Sequence, residues 1–120
     1  MTDGEFRDGH PRLSLTIESA SSSLEFSFII DTGFEGGLVL PSRLARQLSL
    51  PPSGVTDRAL ANGVIVKVPV LEVVALWEGE RRYTELLVME GNALIGTEFL
   101  ADHLLTVEVA AGGAVSIEPL

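Results

Sequence analysis

Asp31-Thr32-Gly33 stands at the end of an apolar run, Phe26-Ser27-Phe28-Ile29-Ile30. A strand of that composition emerges from a buried sheet and delivers a carboxylate onto a Thr-Gly turn. A carboxylate placed there can take a proton from water and make it a nucleophile. Two carboxylates held close cannot both ionise, so such a pair shares one proton near neutral or mildly acidic pH. The ionised member acts on water while the protonated member polarises the bond under attack. This chain has one such triplet, and its 120 residues are too few for two catalytic lobes. If Asp31 does this chemistry, its partner is expected from a second copy of the chain. The plainer alternative is an Asp that closes a turn at a strand end.

The elements that must position Asp31 are mostly strands. Residues 1–11 are polar and rich in Gly and Asp, and they are expected to form a flexible leader to a single domain over 12–120. Leu13, Leu15 and Ile17 alternate with Ser14, Thr16 and Glu18, the pattern of a half-buried strand. Ser19 to Ser23 read as a hairpin loop, and Leu24 to Ile30 as the strand that carries Asp31. Beyond Gly36-Gly37, Leu38-Val39-Leu40 predicts a short strand, and Arg43 to Leu48 a short helix opened by Pro41-Ser42. Asn62-Gly63, between Ala59-Leu60-Ala61 and Val64-Ile65-Val66, is a strong hairpin signal, expected as a type I′ turn. Val64 to Val70, Val73 to Trp77 and Tyr83 to Met89 predict three more strands, the last two joined through Glu78-Gly79-Glu80. Leu94-Ile95 is expected as a short buried strand, with a helix of two turns over 96–103. Leu104 to Val109 and Ala114 to Ile117 close the chain as strands across Gly112-Gly113. A mainly β domain follows, not a parallel α/β one.

Composition narrows the chemistry further. Hydrophobic residues make up 46% of the chain, enough for a real core, and about 65% of the unfolded surface can be buried at this length. There is no cysteine, which excludes disulfides, thiolate catalysis and thiolate metal sites. His10 and His103 lie far apart and belong to no ligand-spaced cluster, so no metal and no other cofactor is expected. With a net charge of −9, one lysine and seven arginines, the surface repels nucleic acid and anionic lipid. No run approaches the ~20 apolar residues of a membrane span, and the start lacks the basic and apolar regions of a signal peptide. A cytoplasmic location is the expectation.

Three features fall in order along the chain: Asp31-Thr32-Gly33, the Asn62-Gly63 hairpin 31 residues later, and Ala93-Leu94-Ile95-Gly96 about 63 residues later. This layout resembles the retropepsin-like aspartic proteases of clan AA, with a catalytic strand, a flap hairpin and a second glycine motif. Phe34, with Leu38-Val39-Leu40-Pro41 following, looks most like the small prokaryotic branch that carries Asp-Thr-Gly-Phe. The resemblance runs from residue 13 to about 117. It implies a retropepsin-like acid-protease half-barrel with a flap hairpin and one or two short helices.

The resemblance also implies a function: an aspartic endopeptidase, acting as a homodimer on peptide or protein substrates. Asp31 is then the catalytic residue, supported in its loop by Thr32 and Gly33. Thr32 would reach across a two-fold axis, and Gly33 permits a close approach of two backbones. Ala61, Asn62 and Gly63 would form the flap over the substrate, and Ile95 and Gly96 a structural motif beneath the catalytic loop. Many members carry Ser or Ala after the triplet; Phe34 stands there instead and is a candidate lining of a substrate pocket. The 31–34 loop and the terminal strands, such as Val115-Ser116-Ile117, are candidate dimer contacts. Trp77 and Tyr83 are expected to pack in the core or on a sheet surface, and Glu35 to be a solvated charge. Two other readings stay open. One is a catalytically silent dimerisation or peptide-binding module on the same fold, and the other a small β-barrel unrelated to proteases.

Overall fold

Period-two alternation governs most of the chain, and the computed structural model, which describes residues 2–20 and 22–120, builds one ten-stranded sheet from it. The strands are β1 (Thr2–Arg7), β2 (His10–Glu18), β3 (Ser23–Ile30), β4 (Leu38–Leu40) and β5 (Gly54–Ala59). They continue with β6 (Ile65–Trp77), β7 (Glu80–Val88), β8 (Leu94–Ile95), β9 (His103–Val107) and β10 (Ala114–Pro119). One short helix, α1 (Ser42–Ala45), runs into a 3-10 turn over Arg46–Leu48. The order across the sheet is β5-β6-β7-β4-β8-β3-β2-β1-β10-β9, and a further β6–β2 pairing curls it toward a half-barrel.

Alternation places the core as expected. Leu13, Leu15 and Ile17 are buried, as are Phe26, Phe28 and Ile30 on β3, with Phe28 opposite Leu13 and Phe26 opposite Leu15. Trp77 joins this core, whereas Tyr83 stands on the outer face of β7, 79% exposed. Leu38 and Leu40 enter the same core, while Val39 points the other way into a second cluster with Val68, Val70 and Leu87. Burial on both faces is why β4 is a continuous apolar run instead of an alternating one.

The expected leader is not loose. Thr2–Arg7 pairs with β2 on one side and with β10 on the other. The signal was Asp8-Gly9: both residues have positive φ, 53° and 80°, as a two-residue hairpin turn demands. The same geometry recurs at Glu78-Gly79, which joins β6 to β7. The runs at Val64–Val70 and Val73–Trp77 merge into the single 13-residue β6. Of the serine loop, Ser21 lies outside the described residues, and Ser19 N–H donates to Ser22 O at 2.9 Å.

The helix expected over 96–103 does not form. The segment is a run of turns with one bond of α-helical spacing, Leu100 N–H to Gly96 O at 3.3 Å, and Asp102 is left-handed at φ 65°. A helix this short gains too few internal bonds to propagate, and tertiary contacts decide its path. Phe99 is buried edge-on against Trp77, with the Arg82 guanidinium 3.9 Å above its ring. Arg82 Nη1 also donates to Phe99 O at 2.7 Å. Trp77 Nε1–H donates to His103 Nε2 at 3.2 Å, which fixes the start of β9.

The terminal strands also differ from their expected role. Val115 and Ile117 are buried inside the subunit, and β10 has β1 and β9 as its two neighbours. Val115-Ser116-Ile117 therefore has no free edge to offer a second copy. Among the described residues, no helix is long and apolar enough to cross a membrane.

Candidate active site

β3 ends where its inward residues are fully packed, and Asp31 is the first residue beyond it, half-buried. β8 lies between β3 and β4, parallel to the first and antiparallel to the second. Ile29 N–H donates to Ala93 O at 2.8 Å, and Asp31 N–H to Ile95 O at 2.9 Å. These bonds fix the backbone that carries the carboxylate. Asp31 Oδ1 accepts Gly33 N–H at 2.9 Å, and Phe34 N–H donates to Asp31 O at 3.1 Å. The triplet is thus a closed turn in which side chain and backbone of one Asp each satisfy a following N–H.

Gly33 needs no positive φ here. A Cβ at this position would sit 3.2 Å from Asp31 Oδ1, so the glycine makes room for the carboxylate that its own N–H holds. Thr32 is exposed at the head of the turn. Ile95 is fully buried, and Gly96 N–H donates to Gly37 O at 2.8 Å. Thr97 and Glu98 donate their N–H groups to Phe34 O and Gly36 O at 2.9 and 3.1 Å. A side chain at Gly96 would strike the carbonyls of Gly36 and Phe34. Residues 31–37 and 95–98 are one bonded unit.

A cleft of about 460 Å³ opens beside Asp31 and Thr32. Ile29, Leu94, Leu105 and Val107 give it apolar walls, and His10 and Asn92 also line it. By sequence His10 is only a histidine without a ligand cluster. Its place here follows from the Asp8-Gly9 turn, which returns the chain into β2 at His10. A larger hollow, about 520 Å³, lies on the β6–β7 face among Glu18, Glu72, Arg81, Tyr83 and Glu85, away from the triplet. Size does not single it out, because it holds paired and like charges and no turn like that of Asp31. Among the described residues, no group of three His, Cys, Asp or Glu is placed to hold a metal ion.

Phe34 does not line the Asp31 cleft. Its ring lies against Gly36 and Gly96 and joins the second apolar cluster with Val66, Met89 and Leu94. The hairpin tip is formed by Ala61, Asn62 and Gly63, all exposed and outside the cleft lining. Its turn is not type I′. Leu60 N–H donates to Val64 O at 2.8 Å and Gly63 N–H to Leu60 O at 2.9 Å, with only Gly63 left-handed at φ 84°. That is a three-residue loop ending in a glycine bulge, and Asn62 Oδ1 accepts Val64 N–H at 3.0 Å. The structure therefore gathers Asp31, Thr32, Gly33, Phe34, Ile95 and Gly96, and leaves residues 61–63 apart from them.

No protein-family model matches the chain, and no curated protein does. Solved structures do. The retropepsin-like aspartic protease from Rickettsia conorii superposes with a TM-score of 0.62 at 16% identity, over 98% of this chain and 92% of that one. The EIAV protease complexed with the inhibitor HBY-793 superposes with a TM-score of 0.61 at 19% identity, over 79% and 88%. The chain has the retropepsin-like fold. The Asp31 turn lies between β3 and β4, and Val66, Val68 and Val70 of β6 share the second cluster with Phe34.

Proposed function

We propose that this chain is an aspartic endopeptidase that works as a homodimer, with Asp31 of each subunit forming the dyad. One observation carries the reading. On a retropepsin-like fold, the Asp31 carboxylate is held by Gly33 N–H at 2.9 Å, beside a cleft with apolar walls. The two carboxylates share one proton. The ionised Asp31 takes a proton from the attacking water, and the protonated Asp31 donates to the carbonyl oxygen of the scissile peptide. The proton then passes to the leaving nitrogen as the tetrahedral adduct collapses, and the two carboxylates exchange roles. Thr32 and Gly33 keep the loop in shape, and the Ala61-Asn62-Gly63 tip closes over a substrate lying as an extended strand.

A second reading, a silent dimerisation or peptide-binding module, draws on Phe34, whose ring cannot hydrogen-bond to a carboxylate. One experiment separates the two: cleavage of a mixed peptide library, at mildly acidic to neutral pH, by wild type and Asp31→Asn. The protease reading expects cleavage by wild type and its loss in the variant, with fold and dimer unchanged. Peptide binding without cleavage by either protein would favour the silent module. Equal cleavage by both would remove Asp31 from the reaction.

A further inference from the structure

We propose that the Phe34 ring fills an apolar site next to the Asp31 turn, so that the residue of a bound peptide that points there must be small. This deepens the reading above and rests on its extended peptide over Asp31. Phe34 is half-buried, whereas Gly33 and Glu35 on either side of it are exposed, so the ring is turned inward. Two glycines make room for it. A Cβ at Gly36 would come within 2.5 Å of ring atom Cζ, and one at Gly96 within 2.6 Å of Cδ2. The ring thus lies directly on the backbone of both segments that hold the Asp31 turn. It packs against Val39, Val68, Val70 and Leu87, to which β4, β6 and β7 all contribute.

Leu94 ties this site to the reaction centre, because it lines the Asp31 cleft and also packs against the second cluster. An extended peptide turns successive side chains to opposite sides. A side chain that enters the cleft therefore has a neighbour directed past Leu94 toward the ring. β6, which supplies Val68 and Val70, is also an arm of the hairpin that would close over the peptide. Without the ring, the bare backbone at Gly36 and Gly96 and the valines around it would accept a branched or aromatic side chain. With Phe34 in place, a second large group has no room, since an already packed apolar site resists insertion. Gly or Ala needs no such space. Selection here works by exclusion of the wrong residue, not by attraction of the right one.

A mixed peptide library tests this with wild type, Phe34→Ala and Phe34→Leu, read both as cleavage and as peptides retained on the immobilised proteins. Wild type is expected to favour Gly or Ala at one position near the scissile bond. Phe34→Ala should raise acceptance of Leu or Phe over Ala at that position at least about tenfold, and Phe34→Leu should raise it by less. Thermal melts show which variants fold, and if Phe34→Ala does not, the Leu variant carries the comparison. The same preferences in wild type and the folded variants would overturn the filled site, and cleavage lost in Asp31→Asn would leave the protease reading standing. Loss of cleavage of every peptide by folded Phe34 variants would make the ring a support of the turn and overturn its role in selection. No cleavage by wild type would remove the protease reading, and retention would then decide. Bulky peptides held by the Phe34 variants and not by wild type would support the filled site, and identical retention, or none, would overturn it.

Discussion

Thr97 donates its backbone N–H to the Phe34 carbonyl at 2.9 Å, joining the segment after β8 to the turn that carries Asp31. Gly96, one residue before, sits where any Cβ would meet the Gly36 and Phe34 carbonyls. Gly96→Ala is expected to cost about 3 kcal/mol, because backbone atoms on both sides must move. Urea denaturation measures that loss. A change within a few tenths of a kcal/mol would mean that the two segments are not tied as described.

Arg82 supports the same segment from beneath, through its 2.7 Å bond to Phe99 O and its guanidinium over the Phe99 ring. Arg82→Leu should cost about 2 kcal/mol, since a buried carbonyl loses a charged donor. Arg82→Lys should recover only part of this, because an ammonium cannot lie flat on the ring and reach the carbonyl together. The midpoints of chemical unfolding for the three proteins rank the effects.

Glu90 caps α1 from a distant part of the chain. Pro41 provides no side-chain cap, and Ser42 N–H donates instead to Glu90 Oε1 at 3.1 Å. Hydrogen bonds from the Ser42 hydroxyl and then from its N–H lower the Glu90 pKa below the ordinary 4.5, with Arg46 and Arg43 adding to the effect. A depressed carboxylate pKa contributes stability above its unfolded value, which is lost as pH falls through the folded one. Glu90→Gln should therefore melt below wild type at neutral pH, and the gap should close as pH drops beneath 4.5. Melting temperatures across that window check the sign. A gap that stays constant with pH would remove the charge from the explanation.

Gly63 takes φ 84° at the end of the hairpin loop, a conformation that an L side chain adopts at a cost. Gly63→Ala should destabilise by about 1 kcal/mol, and Gly63→Asn by less, since Asn tolerates that region. If the tip closes over substrate, Gly63→Ala should also lower kcat/KM. Thermal melts and peptide-cleavage kinetics read the two effects separately.

The parts of this molecule governed by local pattern were legible in the chain. Leu13, Leu15 and Ile17 alternate into the core, and β4 and β8 were read at their observed bounds. So was Asp31 at a strand end. What was misread depends on partners remote in sequence. β1 is held by β10, with Thr2 opposite Ile117, and its own residues give only a weak alternation of half-buried and exposed positions. The 96–103 segment has no proline and no glycine after Gly96, as a short helix would allow, yet Phe99 packs on Trp77 and its carbonyl is bonded to Arg82 instead. Nothing local marks His10 for the cleft, because the Asp8-Gly9 turn that places it lies in a polar stretch without apolar alternation.

β8 has two residues, yet it fills the slot between β3 and β4 and accepts the Asp31 N–H. The shape of the Asp31 turn is thus written in residues made long after it. On a ribosome, a nascent chain with everything up to β7 would carry the triplet but not its floor, and the turn would remain unset until residues 94–98 had emerged. Pairings of such long sequence separation are slow to form, because loop closure must precede the contacts that reward it. Protection of the Asp31 amide in refolding hydrogen exchange should therefore arrive with that of Gly96, among the last in the molecule. The turn is finished late, so an incomplete chain carries the triplet without the bonded segment that shapes it.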